Sequence, residues 1–220
     1  MIVGNTSSSL EEMVYISLEE EILSGKLLRG DTLGEIALSK RLGVSRTPIR
    51  SALHRLAEEG LVDTVPNKGT TVIGINTDDL IDIYRIRERL EGLASSLAAQ
   101  RITEEELNKL SETVDLADFY IKRKDAEHIK ELDTEFHRTI YKASGSRFLE
   151  RTLSELHRKI KSYRKRSLSV PGRVEKSEEE HREILAAIKA GDSEKADRLT
   201  SLHVQRALEN MLSAIECESK

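Results

Sequence analysis

The residues best suited to chemistry in this chain are four polar side chains that interrupt apolar helical stripes. In the stretch 126–143 the recurrence Ile129, Asp133, Phe136, His137 and Ile140 puts a carboxylate and an imidazole one turn apart on a single inward face. His181 lies in line with Ile184, Leu185 and Ile188, and His203 with Ala196, Leu199 and Ala207, so both of these histidines also point inward. One buried histidine is usually a hydrogen-bonded core residue. Asp133, His137, His181 and His203 converging in one bundle instead make an N/O donor set for a transition metal, with histidine nitrogens at about 2.0 to 2.1 Å from the ion. Zinc is the expected ion, with nickel or manganese as alternatives. Arg87 falls on a further stripe with Ile83, Leu90, Ala94 and Leu97. An inward guanidinium needs an anion. That anion is either Glu91, one turn on, or a carboxylate brought in by a ligand.

A second group is basic and exposed. Between residues 40 and 68 the cations Lys40, Arg41, Arg46, Arg50, Arg55 and Lys68 outnumber the anions Glu58, Glu59 and Asp63, although the whole chain carries a formal charge of -4. Only the local distribution therefore points to nucleic acid. Arg46 and Arg50 lie one turn apart at the start of a helix, where a recognition helix meets base edges. A guanidinium fork can hold guanine O6 and N7 together, worth roughly 1 to 3 kcal/mol of discrimination. Ser45 and Thr47 are placed to hold phosphates through their hydroxyls and the helix N-terminal amides.

The elements that must carry these residues follow from caps and periodicity. Ser9 with Glu12 forms a capping box before a run through Met13, Ile16, Leu18 and Ile22 that ends at Gly25. A short second helix is expected over 34–42 with Ile36, Ala37 and Leu42 inward, and Gly43 then supplies a tight turn. A third helix follows at once, capped by Ser45 or Thr47, with Pro48 in its first turn and Ile49, Ala52, Leu53 and Leu56 inward as far as Gly60. Two short helices across a tight turn make a helix-turn-helix. The β-rich runs 61–65 and 71–75, joined by Pro66-Asn67-Lys68-Gly69, read as a hairpin wing. Past Asn76 the pattern is helical only, over 78–100, 104–122, 126–143, 147–168, 173–190 and 193–216, with connections short enough for an antiparallel bundle. The expected fold is mainly α. Residues 1–76 form a winged helix-turn-helix of three helices and a β-hairpin, and residues 77–220 form an antiparallel bundle of six or seven helices.

The segment LGVSRTPIRSALHRLAEEGLV followed by PNKGTTV resembles the winged-helix domain of the GntR regulators across residues 10–75. Gly43, the SRTP turn, Arg50 and the wing glycine are in register, and Ser51 stands where that family more often has glutamate. The resemblance implies that Lys68 and Gly69 approach the minor groove at the wing tip. It also implies that Ile36 occupies the place of a second-helix arginine that contacts DNA in the fatty-acid-responsive member, with Lys40 as a substitute. Over residues 78–212, the order DTEFH, then EEEHREILAAIKAGD, then a final-helix histidine resembles the FCD ligand-sensing domain of the FadR branch, nearer its VanR-like members. Metal-binding members of that branch use an aspartate and three histidines, which fall on Asp133, His137, His181 and His203. The pattern IRERLEGLASSLAA supports an effector carboxylate at Arg87, whereas Ser146 replaces an asparagine common in metal-binding relatives.

Other features narrow the function. No stretch approaches the roughly 20 apolar residues of a membrane span, and the first ten residues lack signal-peptide character, so a cytoplasmic protein without a membrane partner is expected. The one cysteine, Cys217, has no partner motif and fits a reducing compartment. The basic segment HRKIKSYRKR, 157–166, reads as a solvated helix face. The expected protein is a homodimeric repressor that binds a palindromic operator and senses a small organic acid at a metal-assisted site. One alternative is the same regulator with a metal-free acyl-type pocket. A metal-dependent hydrolase is the other, but there is no HExxH motif, and an enzyme would leave the winged helix unexplained.

Overall fold

The computed structural model describes residues 7–65, 69–161, 163 and 172–218. The chain divides into two compact units, Met1–Thr77 and Asp78–Lys220.

The first unit is built from α1 (Ser7–Leu23), β1 (Thr32–Leu33), α2 (Glu35–Leu42), α3 (Arg46–Glu58), β2 (Val62–Val65) and β3 (Gly69–Val72). Its three strands are antiparallel in the order β1-β3-β2, with Thr32 opposite Thr71 and Thr64 opposite Thr70. The stripe Ile49, Ala52, Leu53 and Leu56 of α3 is buried as expected, and it packs with Val14, Tyr15, Leu18, Leu38 and Val72 into one core. Gly43 adopts the left-handed conformation (φ +69°) that turns the chain from α2 to α3, and the Ser39 hydroxyl ties the turn by donating to the Val44 carbonyl at 2.6 Å. Fixing this turn sets the angle at which the start of α3 leaves the core.

Three local expectations need correction. Helix α1 already includes Ser7, so Ser9 lies inside its first turns and is not its N-cap. Its buried face is Val14, Tyr15, Leu18 and Ile22, while Met13 and Ile16 are exposed, because Tyr15 turns its ring inward and satisfies its hydroxyl on Glu19 and Glu59, each at 2.8 Å. On α2 the inward residue is Leu38, and Ile36 and Ala37 are exposed. The wing also gains a third strand, β1, which pairs with β3. Residues 66–68, with the predicted contact Lys68, lie outside the described residues.

The second unit contains, among the described residues, α4 (Thr77–Arg101), α5 (Glu104–Arg123), α6 (Ala126–Ala143), α7 (Arg147–Lys159), α8 (Arg173–Lys189) and α9 (Ser193–Glu218). Local capping sets several starts. Thr103 and Glu106 form a reciprocal capping box on α5, Asp125 caps α6, and Ser146 caps α7. Helix α5 packs on α6 and α8, and α8 on α9, around Leu110, Val114, Phe136, Ile140, Ile184 and Ile188. Gly92 lets α4 approach α9 closely, since a β-carbon there would collide with Asp197 and Ser201. Helix α7 is shorter than the expected 147–168, with Ile160 as its C-cap; most of 160–171, including the end of the basic segment, lies outside the described residues. The start of that segment is not a solvated face, because His157 and Ile160 are buried. Among the described residues no helix is long and apolar enough to cross a membrane.

Candidate functional site

Each unit carries a candidate site. In the first, the open N-terminal end of α3 presents Ser45, Arg46, Thr47 and Arg50 to solvent, with Lys40 exposed on α2. Ser45 holds the N-cap position, but its hydroxyl makes no capping bond and is available to another acceptor or donor. Arg46 and Arg50 keep 57% and 68% of their side-chain surface exposed, yet both bond to one carboxylate, Glu35 on α2. Those bonds hold Glu35 down to about 2, Arg50 contributing most and Arg46 next. His54 continues the same face one turn beyond Arg50 and is largely exposed. Gly69, at the start of β3, has φ +94°, a conformation that favours glycine and keeps the strand entry free of a side chain.

In the second unit His137 on α6, His181 on α8 and His203 on α9 are all buried, and one ring nitrogen from each lies within 4.8 Å of the other two. Ligands around a tetrahedral ion with 2.0 to 2.1 Å bonds would stand about 3.3 Å apart, so the three rings need only small rotations to share one. Asp133 is buried one turn before His137, with Oδ1 3.8 Å from His181 Nε2. The tight cluster itself consists of the three histidines, and the aspartate stands at its edge.

The other ring nitrogens explain the orientation. His203 Nδ1 lies 2.7 Å from Glu180, His137 Nδ1 lies 3.0 Å from Glu91, and His181 Nδ1 lies 3.7 Å from Glu178. A carboxylate on the Nδ1 side of each ring directs the opposite nitrogen toward the common centre, as outer partners do for metal-bound histidines. His137 Nε2 is buried without a hydrogen-bond partner among the described residues, a cost that a bound cation would remove. These donors fit a transition metal. Burial depresses His203 to about 4 despite its bond to Glu180, which favours the neutral ring that ligation requires. Burial raises Glu180, but hydrogen bonds from His203 and Arg173 outweigh it and hold the carboxyl at about 2. Burial, with Asp115 nearby, pushes Glu178 up to about 7.

Arg87 is buried on α4 and bonds Glu91 through Nε at 2.7 Å and Nη2 at 2.6 Å, so the carboxylate one turn on is its partner. Its Nη1 has no hydrogen-bond partner among the described residues. Tyr141 and buried His157, with Oη and Nδ1 3.3 Å apart, extend this polar cluster beside His137. Burial, reinforced by Arg87, holds His157 well below the ordinary histidine range.

Comparison with known proteins identifies both units. The FCD domain family matches residues 82–206, and the bacterial regulatory proteins of the gntR family match residues 10–72. This chain belongs to the GntR family. The probable D-xylose utilization operon transcriptional repressor of Paenarthrobacter nicotinovorans is 30% identical over 90% of this chain and 87% of its own length. The HTH-type transcriptional repressor RspR of Escherichia coli is 26% identical over 94% of this chain and 91% of its own. Among solved structures, E. coli McbR/YncC superposes with a TM-score of 0.72 at 26% identity, covering 97% of this chain and 99% of that one. As a GntR-family protein, the chain is a bacterial transcription regulator and not an enzyme, with a DNA-binding winged helix and a ligand-binding FCD domain.

The side chains that sequence reasoning missed in this regulator are all carboxylates or aromatic acids and bases: Glu35, Glu178, Glu180, Tyr141 and His157. Glu178 and Glu180 sit in the charged run EEEHRE, and only their burial, with Glu180 on Arg173 and His203 and Glu178 beside His181, distinguishes them. The Arg87–Glu91 pair makes a direct prediction. Glu91→Ala leaves a buried guanidinium without its anion and is expected to destabilise the protein by roughly 3 to 5 kcal/mol, whereas Arg87→Met with Glu91→Leu costs much less. Urea unfolding of the three proteins checks this, and equal losses in the single and double variants would contradict it.

Proposed function

We propose that this regulator is a cytoplasmic homodimeric repressor whose FCD domain holds a divalent transition metal and, with it, a small organic acid. The observation that carries the reading is the convergence of His137, His181 and His203, each backed by a carboxylate on its other nitrogen. Asp133 would complete the set as an oxygen donor, and zinc suits this mixture best, with nickel or manganese as alternatives. When bound, the cation would supply a Lewis-acidic open position for a carboxylate oxygen. Arg87 keeps its Nη1 donor for the same carboxylate while Glu91 balances its charge.

On the DNA side, Arg46 and Arg50 are the base-reading residues, and Ser45, Thr47 and Lys40 contact phosphate. Gly69 and Lys68 would serve the wing tip. A dimer places two α3 helices in successive major grooves about 34 Å apart, which calls for a palindromic site. Ile86 and Leu93, two turns apart on α4 and 48% and 44% exposed, offer apolar surface that a second copy would cover. Repression agrees with the names of the RspR and D-xylose operon relatives. The effector must favour one arrangement of the paired DNA-binding units over another, since a ligand indifferent to both shifts nothing.

A metal-free pocket for an acyl chain is the second reading. Its seat would be a narrow cleft walled by Val114, Ile121, Ile129 and Phe136 that reaches Asp133 and His181, which at about 10 Å³ has to widen to admit an acyl chain. One experiment separates the two. A duplex selected by the protein from a random pool is titrated with zinc-loaded and zinc-stripped protein, each with a panel of short mono- and dicarboxylic acids. The expected result is an acid that changes affinity by about 5-fold or more, only with zinc and only with Arg87 intact. An effect confined to long-chain acids and indifferent to zinc would establish the second reading instead.

A further inference from the structure

Both arginines proposed to read bases are held by a residue that is not on their helix. Glu35 Oε2 accepts from Arg46 Nε at 3.2 Å and Arg46 Nη2 at 2.9 Å, and also from Arg50 Nη2 at 3.0 Å. Its Oε1 accepts from Arg50 Nε at 3.0 Å, so Arg50 and the carboxylate meet fork to fork. Every one of these bonds uses the Nε/Nη2 edge. Among the described residues nothing bonds the opposite edge of either guanidinium, and the side chains stay more than half exposed while Glu35 is only 27% exposed. The position of the carboxylate is itself fixed, because Glu35 begins α2 directly after its N-cap Gly34, at the helix end where a negative charge is favoured.

Two consequences follow from general chemistry. Tethering a long, planar side chain by one edge reduces the rotamers it must give up on meeting a base, which favours the one geometry that fits guanine. A carboxylate between two cations also cancels part of their attraction for phosphate, and phosphate attraction is the portion of binding that carries no sequence information. The geometry points to Glu35 as a positioning residue that sets sequence specificity, holding Arg46 and Arg50 for base readout while suppressing sequence-independent binding to DNA. This inference rests on the reading of those arginines as DNA contacts.

The test uses the full chain, the duplex it selects from a random pool, and a scrambled duplex of the same length and composition. Glu35→Gln removes the charge and one of the two acceptor oxygens. It is expected to bind scrambled DNA roughly 3- to 10-fold more tightly and to steepen the slope of log K against log salt by about 1, as one more cation becomes available to phosphate. Binding to the selected duplex is expected to stay level or weaken, so the ratio of specific to scrambled affinity falls by about 3-fold or more. Glu35→Asp keeps the charge but shortens the reach. It is expected to retain the wild-type salt slope and still lose part of the ratio, and it carries the test should Glu35→Gln fail to fold. A merely structural glutamate would lower both affinities together and leave slope and ratio unchanged, and that outcome would overturn the inference. A wild-type chain that enriches no sequence would instead remove the DNA-contact reading beneath it.

Discussion

Alanine at both Arg46 and Arg50 is expected to eliminate sequence-specific DNA binding while the chain stays folded. Each guanidinium that engages a guanine is worth roughly 1 to 3 kcal/mol of discrimination, so the pair accounts for about 30- to 20,000-fold in affinity for the selected duplex. Neither side chain supports the core, since the residues of α3 that do are Ile49, Ala52, Leu53 and Leu56 on the opposite face. Gel-shift titration and thermal unfolding of the same variants check the two halves of the statement. Loss of folding would contradict the placement of both side chains outside the core, and retained specificity would mean that other residues read the bases. Single substitutions should relax preference at different base positions, because the two arginines lie one turn apart on the helix.

The second large effect belongs to the FCD domain. Zinc that binds the folded protein alone raises its stability by about 2.7 kcal/mol at a free concentration one hundred times the Kd, which for a unit of this size corresponds to roughly 5 to 10 °C in Tm. His181→Ala is expected to abolish that shift. Its Nε2 lies 3.8 Å from Asp133 Oδ1, and its ring centroid lies 5.4 Å from that of His137 and 4.8 Å from that of His203. Calorimetry with and without zinc, on wild type and variant, measures it. An equal shift in both proteins would place the zinc elsewhere.

How much of this was legible in the sequence depended on whether a residue's role is set by its own helix or by a distant one. The stripe of α3 and the inward histidines of α6, α8 and α9 obey the 3.6-residue period, so burial follows directly from spacing. Helix α2 has only eight residues, too few for the period to decide between Ile36, Ala37 and Leu38 as the inward residue. Strand β1 has two residues and no alternation to detect; its pairing with Thr70 and Thr71 is a property of the wing. Charged residues were the hardest. Glu35 lies eleven and fifteen positions from the arginines it holds, and Glu180 lies twenty-three from His203. A carboxylate in a charged run looks solvated until the fold supplies its cation. Glu91 was the exception, because its partner Arg87 sits one turn away on the same helix.

Whether this GntR-family regulator carries a metal in its FCD domain is decided by its metal content. The protein is purified without an affinity tag or chelator and assayed by elemental analysis beside Asp133→Ala, His137→Ala. About one transition-metal ion per chain is expected in the wild type and none in the variant. No metal in the wild type, even after Zn²⁺ or Ni²⁺ is offered, would contradict that expectation and leave a regulator whose effector is held by apolar contact and hydrogen bonds alone.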